Sequence, residues 1–392
     1  MNLWRLIAKP FLALSLALVL LQGCSWIRSW GDPEPGDPAP LVEFEESLKV
    51  RKIWSTSIGD GMGKQGLSMA PVYSSGILIA ADYEGRLAAV DAESGRMKWQ
   101  LKTKQPFSGG PGLDDDHIYM GTIDGRVIAY DRSGGAELWN AQVSSEVLSP
   151  PASADGIVAV RCIDGRVFGL DAVSGRRLWI YDHKVPLLAL RGEADLLIRA
   201  GIVFVGYDDG SVVALRLADG SVVWSQAISS QEGRTELERL ADIGQQMVIV
   251  ASDLIVSSYK SRIVSLAADS GRLLWFKDIS SATGVVVDRT NLSVSEKNDD
   301  LWMLDRRNGS TIWKVDQLTN RGLTRPAFYG DYVVVGDQEG YLHWLDSEIG
   351  SFVARNRAGK NGFAAAPLTV GTTMYVLTQK GDLIAFRAGS AL

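Results

Sequence analysis

Histidine, cysteine and helical periodicity are scarce in this chain of 392 residues, and each shortage excludes a class of function. The three histidines, His117, His183 and His343, form no pair at metal-ligand spacing and no catalytic order with serine, cysteine or a carboxylate. No glycine-rich phosphate loop follows a strand and opens a helix. Lysine plus arginine total 40 against 46 aspartate plus glutamate, and this acidic balance argues against nucleic-acid binding. We therefore expect no catalytic residues, no metal site and no cofactor.

One of the two cysteines lies at the end of a targeting segment. Two basic residues precede an apolar run from Phe11 to Leu21, which has the length of a signal peptide and is too short to span a bilayer. The run ends in Leu-Gln-Gly-Cys24, which resembles the bacterial lipobox, in which the cysteine is lipidated and begins the mature protein. An ordinary cleaved signal with an incidental cysteine is the alternative. With Ser25 in place of the aspartate that signals inner-membrane retention, the resemblance implies an outer-membrane lipid anchor facing the periplasm.

A proline-rich stretch follows this cysteine. Residues 31–40 read Gly-Asp-Pro-Glu-Pro-Gly-Asp-Pro-Ala-Pro, a composition that predicts an extended, disordered tether of roughly 30 Å. We therefore divide the chain into a lipoprotein signal peptide (1–23), a lipidated cysteine with its proline-rich tether (24–43) and one folded domain (44–392).

A single phrase recurs eight times in the folded domain, and its full form is the segment from Asp164 to Trp179, DGRVFGLDAVSGRRLW. Counted from the second aspartate, glycine follows at the fourth position in all seven complete copies. Tryptophan follows at the eighth position in six copies, and Ala354 takes its place in the seventh. Spacings of 38 to 51 residues between successive tryptophans identify a repeat protein.

Each repeat contains four short apolar runs separated by turn residues, which predicts four antiparallel strands. Such a unit is too small to cover both of its own faces, and radial stacking around an axis solves the problem. The segment from Arg51 to Trp54 resembles the second half of a repeat and is expected to complete the last unit. We predict an all-β fold, an eight-bladed β-propeller of four-stranded antiparallel blades with quinoprotein-like repeats, closed by the N-terminal strand.

The repeated residues have structural explanations. We expect each tryptophan to pack against the neighbouring blade, the alternative being a ring of platforms for sugars or nucleobases. The repeated aspartates and glycines belong to turns. The acidic runs Asp114–Asp116 and Asp299–Asp300 are interpreted as solvated turns, with a calcium loop as the alternative.

Two connections between repeats are longer than the usual 12 or 13 residues, and they are neighbours. They follow Trp179, by 17 residues, and Trp224, by 23 residues. In a four-stranded antiparallel blade these connections all leave the same face, so two adjacent enlarged loops form one patch. Loops elaborated on a rigid scaffold commonly carry function.

The content of these two loops suggests a protein partner. Leu188 and Leu190 beside Arg191 have the chemistry of an interface hot spot, and the second loop adds a charged segment that ends at Asp242. The alternative is that the leucines pack beneath the loop while Arg191 pairs internally with Glu193 or Asp242.

At these residues the chain resembles the BamB family, lipoproteins of the bacterial outer-membrane β-barrel assembly machinery, the BAM complex. The resemblance covers the lipobox, the tether, the repeats and Val334–Trp344, and it is most specific at 188–193 and 235–242. It implies that Leu188, Leu190, Arg191 and Asp242 contact the periplasmic POTRA domains of BamA, the barrel-forming subunit. It further implies a non-catalytic scaffold that works with the other BAM subunits, and with unfolded outer-membrane protein precursors, in folding and inserting β-barrel proteins.

An enzyme is the alternative from a different class. The repeats also resemble those of the eight-bladed quinoprotein dehydrogenases, periplasmic enzymes that use pyrroloquinoline quinone and calcium. Those enzymes carry a vicinal cysteine pair over the cofactor, which a chain with one spare thiol at Cys162 cannot form. We therefore favour the scaffold.

Overall fold

The computed structural model of the protein describes residues 36–63, 69–184, 194–228, 243, 247–259 and 261–389. Their regular structure is entirely β-sheet, in eight four-stranded antiparallel sheets. The first strands of successive sheets contact one another, so the sheets stand as blades around a common axis. The predicted eight-bladed β-propeller is confirmed. No helix among these residues has the length and apolar character needed to cross a membrane.

Blades are numbered 1 to 8 from the sheet that begins with β2, and strands within a blade run from the axis outward. The innermost strands are β2 (Val72–Ser74), β6 (Phe107–Leu113), β10 (Ala152–Ala154), β14 (Leu197–Arg199), β18 (Val248–Val250), β22 (Val285–Val287), β26 (Ala327–Tyr329) and β30 (Leu368–Val370). The second strands are β3 (Ile77–Ala81), β7 (His117–Thr122), β11 (Ile157–Arg161), β15 (Ile202–Gly206), β19 (Asp253–Ser257), β23 (Asn291–Ser295), β27 (Tyr332–Gly336) and β31 (Thr373–Leu377). The third strands are β4 (Arg86–Asp91), β8 (Arg126–Asp131), β12 (Val167–Asp171), β16 (Ser211–Arg216), β20 (Ile263–Ala267), β24 (Leu301–Asp305), β28 (Tyr341–Asp346) and β32 (Asp382–Ala388). The outermost strands are β5 (Met97–Lys102), β9 (Glu137–Gln142), β13 (Arg177–Tyr181), β17 (Val222–Ala227), β21 (Leu273–Lys277), β25 (Thr311–Val315), β29 (Phe352–Arg357) and β1 (Val50–Ser57).

Burial follows the position of a strand within its blade. The second and third strands are apolar runs that are buried almost throughout, because the adjacent blades cover both of their faces. The outermost strands alternate between buried and exposed side chains, as in β21. The core therefore lies between the blades, in a ring around the axis.

The two ends of the ring differ in their connections. The outermost strand of each blade ends where the chain crosses to the next blade, and the turns between second and third strands lie at this same end. We call it the loop face. The remaining turns, which join first to second and third to fourth strands, form the opposite turn face. Both enlarged connections therefore belong to the loop face.

The ring is closed by the N-terminal strand. β1 pairs antiparallel with β32, from Val50 opposite Ala388 to Ser57 opposite Asp382. Blade 8 is thus built from both ends of the folded domain, as the half-repeat around Trp54 predicted. This pairing satisfies a strand edge that would otherwise be open.

The recurring tryptophans fasten each blade to the next. Trp54 Nε1 donates a hydrogen bond to the carbonyl oxygen of Ala92 in blade 1, at 3.1 Å. A Cβ atom at Gly95 would come within 2.5 Å of the same ring. The contact repeats from each tryptophan to the repeat glycine of the next blade: Trp99 with Gly135, Trp139 with Gly175, Trp179 with Gly220, Trp224 with Gly271, Trp275 with Gly309, and Trp313 with Gly350. The predicted packing of tryptophan against the neighbouring blade is confirmed.

Blade 7 departs from this pattern, because Ala354 stands where the tryptophan is expected. In blade 1, Ala89 on the third strand faces Trp99 on the fourth. In blade 7 the register instead pairs Ala354 with Trp344 of the third strand, so the large and small side chains are exchanged. Trp344 is fully buried in a cluster that includes residues of blade 8. A large aromatic side chain is therefore kept at the remaining blade interface.

The segment before β1, residues 37–48, lies along the outside of the ring, and we call it the N-terminal strap. Near the turn face, the amides of Ser47 and Leu48 both donate to the carbonyl oxygen of Val353 at 3.0 Å. Further along, Phe44 stacks on Phe352 with ring centroids 5.5 Å apart. Arg355 Nη1 donates to the carbonyl oxygen at position 42, at 2.9 Å. The strap therefore covers the outer strand of blade 7.

The strap reaches the loop face at the connection between blades 6 and 7. The amide of Ala39 donates to the Thr319 carbonyl oxygen at 2.9 Å, and Arg321 Nη1 donates to the Ala39 carbonyl oxygen at 2.7 Å. Arg321 is itself buried and paired with Asp337 at 2.7 Å. The sequence predicted a free tether as far as residue 43, but residues 37–42 lie against the propeller because these arginines bind their carbonyl groups.

Candidate partner-binding face

The four predicted contact residues, Leu188, Leu190, Arg191 and Asp242, lie outside the described residues, as does the predicted lipidation site Cys24. Their assignment remains a prediction. The described residues nevertheless include both ends of the first enlarged loop and several residues of the second. These residues fix where the two loops leave the propeller.

The flanks of the two loops meet above blade 4. A Cβ atom at Gly206, the last residue of β15, would lie 2.6 Å from Ile243 Cγ2 and 3.4 Å from Ala194 Cβ. Ala194 is the first described residue after the first loop, and Ile243 directly follows Asp242. Both are buried. The missing side chain at Gly206 lets the two flanks approach each other, so the two loops rise from neighbouring points.

Ile243 is held in place by backbone contacts. It forms an isolated antiparallel bridge with Ser258, which follows β19 in blade 5. Its amide also donates to the carbonyl oxygen of Tyr207 in blade 4, at 3.4 Å. The residue next to Asp242 is therefore anchored to two blades at once.

An aromatic and acidic cluster lies at the base of the first loop. His183, two residues before the loop, stacks on Tyr207 with ring centroids 3.8 Å apart. Its Nε2 atom lies 2.9 Å from Asp209 Oδ2. Burial alone would raise the pKa of Asp209, but hydrogen bonds from His183 and Ser211 outweigh burial and hold that pKa below its usual value.

A buried ion pair supports this cluster from beneath. Arg161 Nη2 lies 2.9 Å from Asp208 Oδ1, and each side chain is 3% exposed. The Arg161 guanidinium also lies over the Tyr207 ring, 5.5 Å from its centroid. Burial raises the pKa of Asp208, and Arg161 opposes that rise. Breaking such a pair typically costs about 3–5 kcal/mol, so the loops stand on a base with one well-defined geometry.

Sequence reasoning did not single out this base, although a signal was present. Most repeats carry one aspartate before the glycine of the turn between second and third strands, whereas blade 4 has Asp208 and Asp209 before Gly210. The additional carboxylate accounts for both contacts, with Arg161 on one side and His183 on the other. The extra aspartate beside an enlarged loop therefore marks the base of that loop.

The acidic runs considered as cation sites are occupied by protein donors. Asp114 accepts hydrogen bonds from the Tyr119 hydroxyl at 2.6 Å and the His117 amide at 2.7 Å. Asp299 accepts from the amides of Gly322 and Leu323 at 2.7 and 2.9 Å. Within the ranges that the structure describes, no group of three or more histidine, cysteine, aspartate or glutamate side chains is placed to hold a metal ion. The turn interpretation accounts for these carboxylates.

Comparison with known proteins places this geometry in a family. A family model described as outer membrane protein assembly factor BamB matches residues 51–111 and 83–315. The outer membrane protein assembly factor BamB of Pseudomonas aeruginosa is 46% identical over 375 residues, covering 96% of this chain and 97% of that protein. The chain belongs to the BamB family. This membership confirms the prediction of an assembly factor over that of a dehydrogenase.

Solved structures agree with the assignment. The crystal structure of BamB from Moraxella catarrhalis superposes with a TM-score of 0.78 at 26% identity, covering 86% of this chain and all of that one. A quinohemoprotein alcohol dehydrogenase from Comamonas testosteroni superposes with a TM-score of 0.68 at 14% identity, covering 86% and 76% of the two chains. The likeness to the dehydrogenase shows a shared propeller fold only.

Proposed function

We propose that this protein is a non-catalytic, lipid-anchored scaffold of the outer-membrane protein assembly complex. It binds the periplasmic POTRA domains of BamA through the two enlarged loops of its loop face. Through BamA it joins the other subunits of the BAM complex and assists the folding and insertion of β-barrel proteins. Lipid on Cys24 would hold it on the periplasmic side of the outer membrane.

The observation that supports this surface most directly is the meeting of the loop flanks at Gly206. Ala194 and Ile243 are brought together by blade 4, so residues 188–191 and 242 leave the propeller from adjacent points. The base formed by Arg161, Asp208 and His183 gives both loops a rigid support. Exposed leucine and arginine side chains on such a support are suited to a protein partner, because little order must be gained on binding.

The test is a binding titration of purified protein with the POTRA region of BamA. We expect Arg191→Ala or Leu190→Ala to weaken binding by about 1–2 kcal/mol or more, roughly 5- to 30-fold in Kd. Arg176→Ala and Leu178→Ala are matched controls, since both residues are exposed and lie away from the loop face. Neither control should change the affinity.

Asp242 provides a charge test at the same surface. Asp242→Lys should weaken the complex, with a loss that depends on salt if the contact is peripheral. Asp269→Lys, on the turn face, is the control of equal charge change. If Arg191→Ala instead lowers the melting temperature while the folded fraction binds normally, Arg191 is an internal brace and the interface lies elsewhere.

Unfolded β-barrel precursors are the second class of partner that we propose, and the outer strand of blade 5 is the surface that favours them. β21 exposes Leu273, Leu274 and Phe276 at 47%, 39% and 48%. Its outer edge has no strand partner among the described residues, unlike that of blade 7, which the strap covers. An extended apolar chain could add to such an edge. Phe276→Ser should reduce crosslinking of a barrel-strand peptide, whereas Leu138→Ser in β9 should not.

A further inference from the structure

A ring of equivalent residues lines a cavity on the propeller axis. The cavity opens toward the loop face and has a volume of about 270 Å³. Residues that stand two positions before the innermost strands contribute to its wall: Ala70, Pro150, Asp195, Thr283, Arg325 and Ala366 in blades 1, 3, 4, 6, 7 and 8. Three of these six positions carry alanine or proline. Asp195 and Arg325 are the only charged members of this set.

These two charges are held apart. Asp195 and Arg325 are on blades 4 and 7, three steps apart around a ring of eight. Their side chains form no ion pair within 4 Å and no hydrogen bond in the described part of the chain. They interact only through space, and each keeps some accessible surface because it borders the cavity. Each charge therefore faces the cavity without a direct partner.

This arrangement is unlike the treatment of charge elsewhere in the fold. Asp208 and Asp337 are equally enclosed, and each contacts an arginine directly, at 2.9 and 2.7 Å. At Asp195, burial raises the pKa to about 7, and the more distant Arg325 only partly opposes the rise. Burial likewise lowers the pKa of Arg325. Unpaired charges in such surroundings are costly, and they are retained where a ligand supplies the partner.

A third polar group points to the same conclusion. Thr283, from blade 6, lines the cavity, and its Oγ1 atom is buried without a hydrogen-bond partner. Buried hydroxyl groups are normally satisfied by protein or by a bound molecule. Leu148, Leu323 and Phe363 supply an apolar wall beside these groups. The cavity thus combines one acid, one base, one hydroxyl group and an apolar surface.

We propose that the axial cavity binds a small zwitterion, an amino acid or short peptide, whose ammonium group pairs with Asp195 and whose carboxylate pairs with Arg325. A ligand with both charges neutralises both walls, whereas an ion of one sign leaves the other wall unpaired. The volume lies just below the range of about 300–1,000 Å³ that is common for drug-sized ligands, so the molecule is small. This site is separate from the loops that contact a protein partner.

The experiment uses the full-length protein in detergent and a series of zwitterions of increasing length: glycine, β-alanine, 4-aminobutyrate, 6-aminohexanoate and diglycine. Binding is measured by isothermal titration and by saturation-transfer NMR. We expect at least one member to bind saturably, and the best length reports the separation of the two charges. Acetate and methylamine, which carry one charge each, should bind at least tenfold more weakly than that member.

Two near-isosteric variants test the residues. Asp195→Asn and Arg325→Gln should each weaken the best zwitterion at least tenfold, while the exposed controls Asp155→Asn and Arg176→Gln should not. The comparison with acetate and methylamine needs only the wild-type protein, so it decides the proposal even if a variant fails to fold. The proposal is wrong if no zwitterion binds saturably, or if binding is unchanged in both folded variants.

Discussion

The contact between Gly220 and Trp179 provides a quantitative test of how the blades are joined. Gly220 lies in the turn before β17 with φ at +72°, and a Cβ atom there would meet Trp179 Cε3 of blade 3 at 2.6 Å. Gly220→Ala therefore has two costs. A left-handed conformation costs an alanine about 1–2 kcal/mol, and overpacking against a buried ring costs about 1–3 kcal/mol more. We expect a total loss of roughly 2–5 kcal/mol.

The same blade contains a control for the backbone cost. Gly201 has φ at +74°, and no atom lies within 4 Å of the position its Cβ would take. Gly201→Ala should therefore lose only about 1–2 kcal/mol. The difference between the two variants measures the contact with the tryptophan alone.

Urea unfolding followed by tryptophan fluorescence gives the midpoints, and a double-mutant cycle tests the cause. In a Trp179→Ala background the ring is gone, so Gly220→Ala should cost no more than Gly201→Ala does. The expected coupling is about 1–3 kcal/mol. Equal losses at Gly220 and Gly201 in the otherwise native protein would refute the interlock as the reason for the repeat glycine.

Three further predictions concern closure, anchoring and pH. Removal of residues 44–57 should lower the melting temperature of the whole ring, because it deletes β1 and exposes the edge of β32; unchanged melting would make the strand peripheral. Cys24→Ala should yield a folded protein in the soluble periplasmic fraction, and persistent membrane association in high salt without partners would contradict the anchor. Because the pKa of Asp195 is raised from 3.8 to about 7, stability should be greatest below pH 4 and should fall as the pH rises to 7, by at most about 4 kcal/mol. Asp195→Asn should flatten this fall in pH-dependent urea titrations, and an unchanged profile would show that the carboxyl group titrates normally.

The fold could be predicted from the sequence because its determinants repeat. Each tryptophan and its glycine partner recur at nearly fixed spacing, so their contact is encoded once per blade. The innermost strands begin at Leu197 and Val248 after the two long connections, within one residue of the positions expected from hydrophobic pattern alone. Periodic local signals of this kind need no knowledge of distant contacts.

The features that escaped prediction are those without a repeat. The exchange of Trp344 with Ala354 depends on the register between two strands, so the alanine alone suggested only a missing tryptophan. The strap is bound through backbone carbonyl groups by Arg321 and Arg355, from residues about three hundred positions away, and carbonyl groups leave no mark in a sequence.

The candidate site divides in the same way. Loop length and composition indicated the partner-binding loops, whose predicted contacts remain to be tested. The axial pair was invisible, because Asp195 and Arg325 face one cavity only after four blades have turned the chain around the axis.

The strap has a consequence for the search volume of an anchored protein. If Cys24 carries lipid, the leash ends at Asp37 when the strap is docked and at Val50 when it is released, which is 13 against 26 residues. Since the root-mean-square span of a flexible chain grows as the square root of its length, halving the leash reduces the accessible volume by roughly threefold and raises the effective concentration at the membrane accordingly. Asp37 also contacts Asn320 on the loop face, so the leash leaves from the same end as the two enlarged loops. The docked strap would thus keep that end within about 47 Å of the bilayer, the fully extended length of 13 residues.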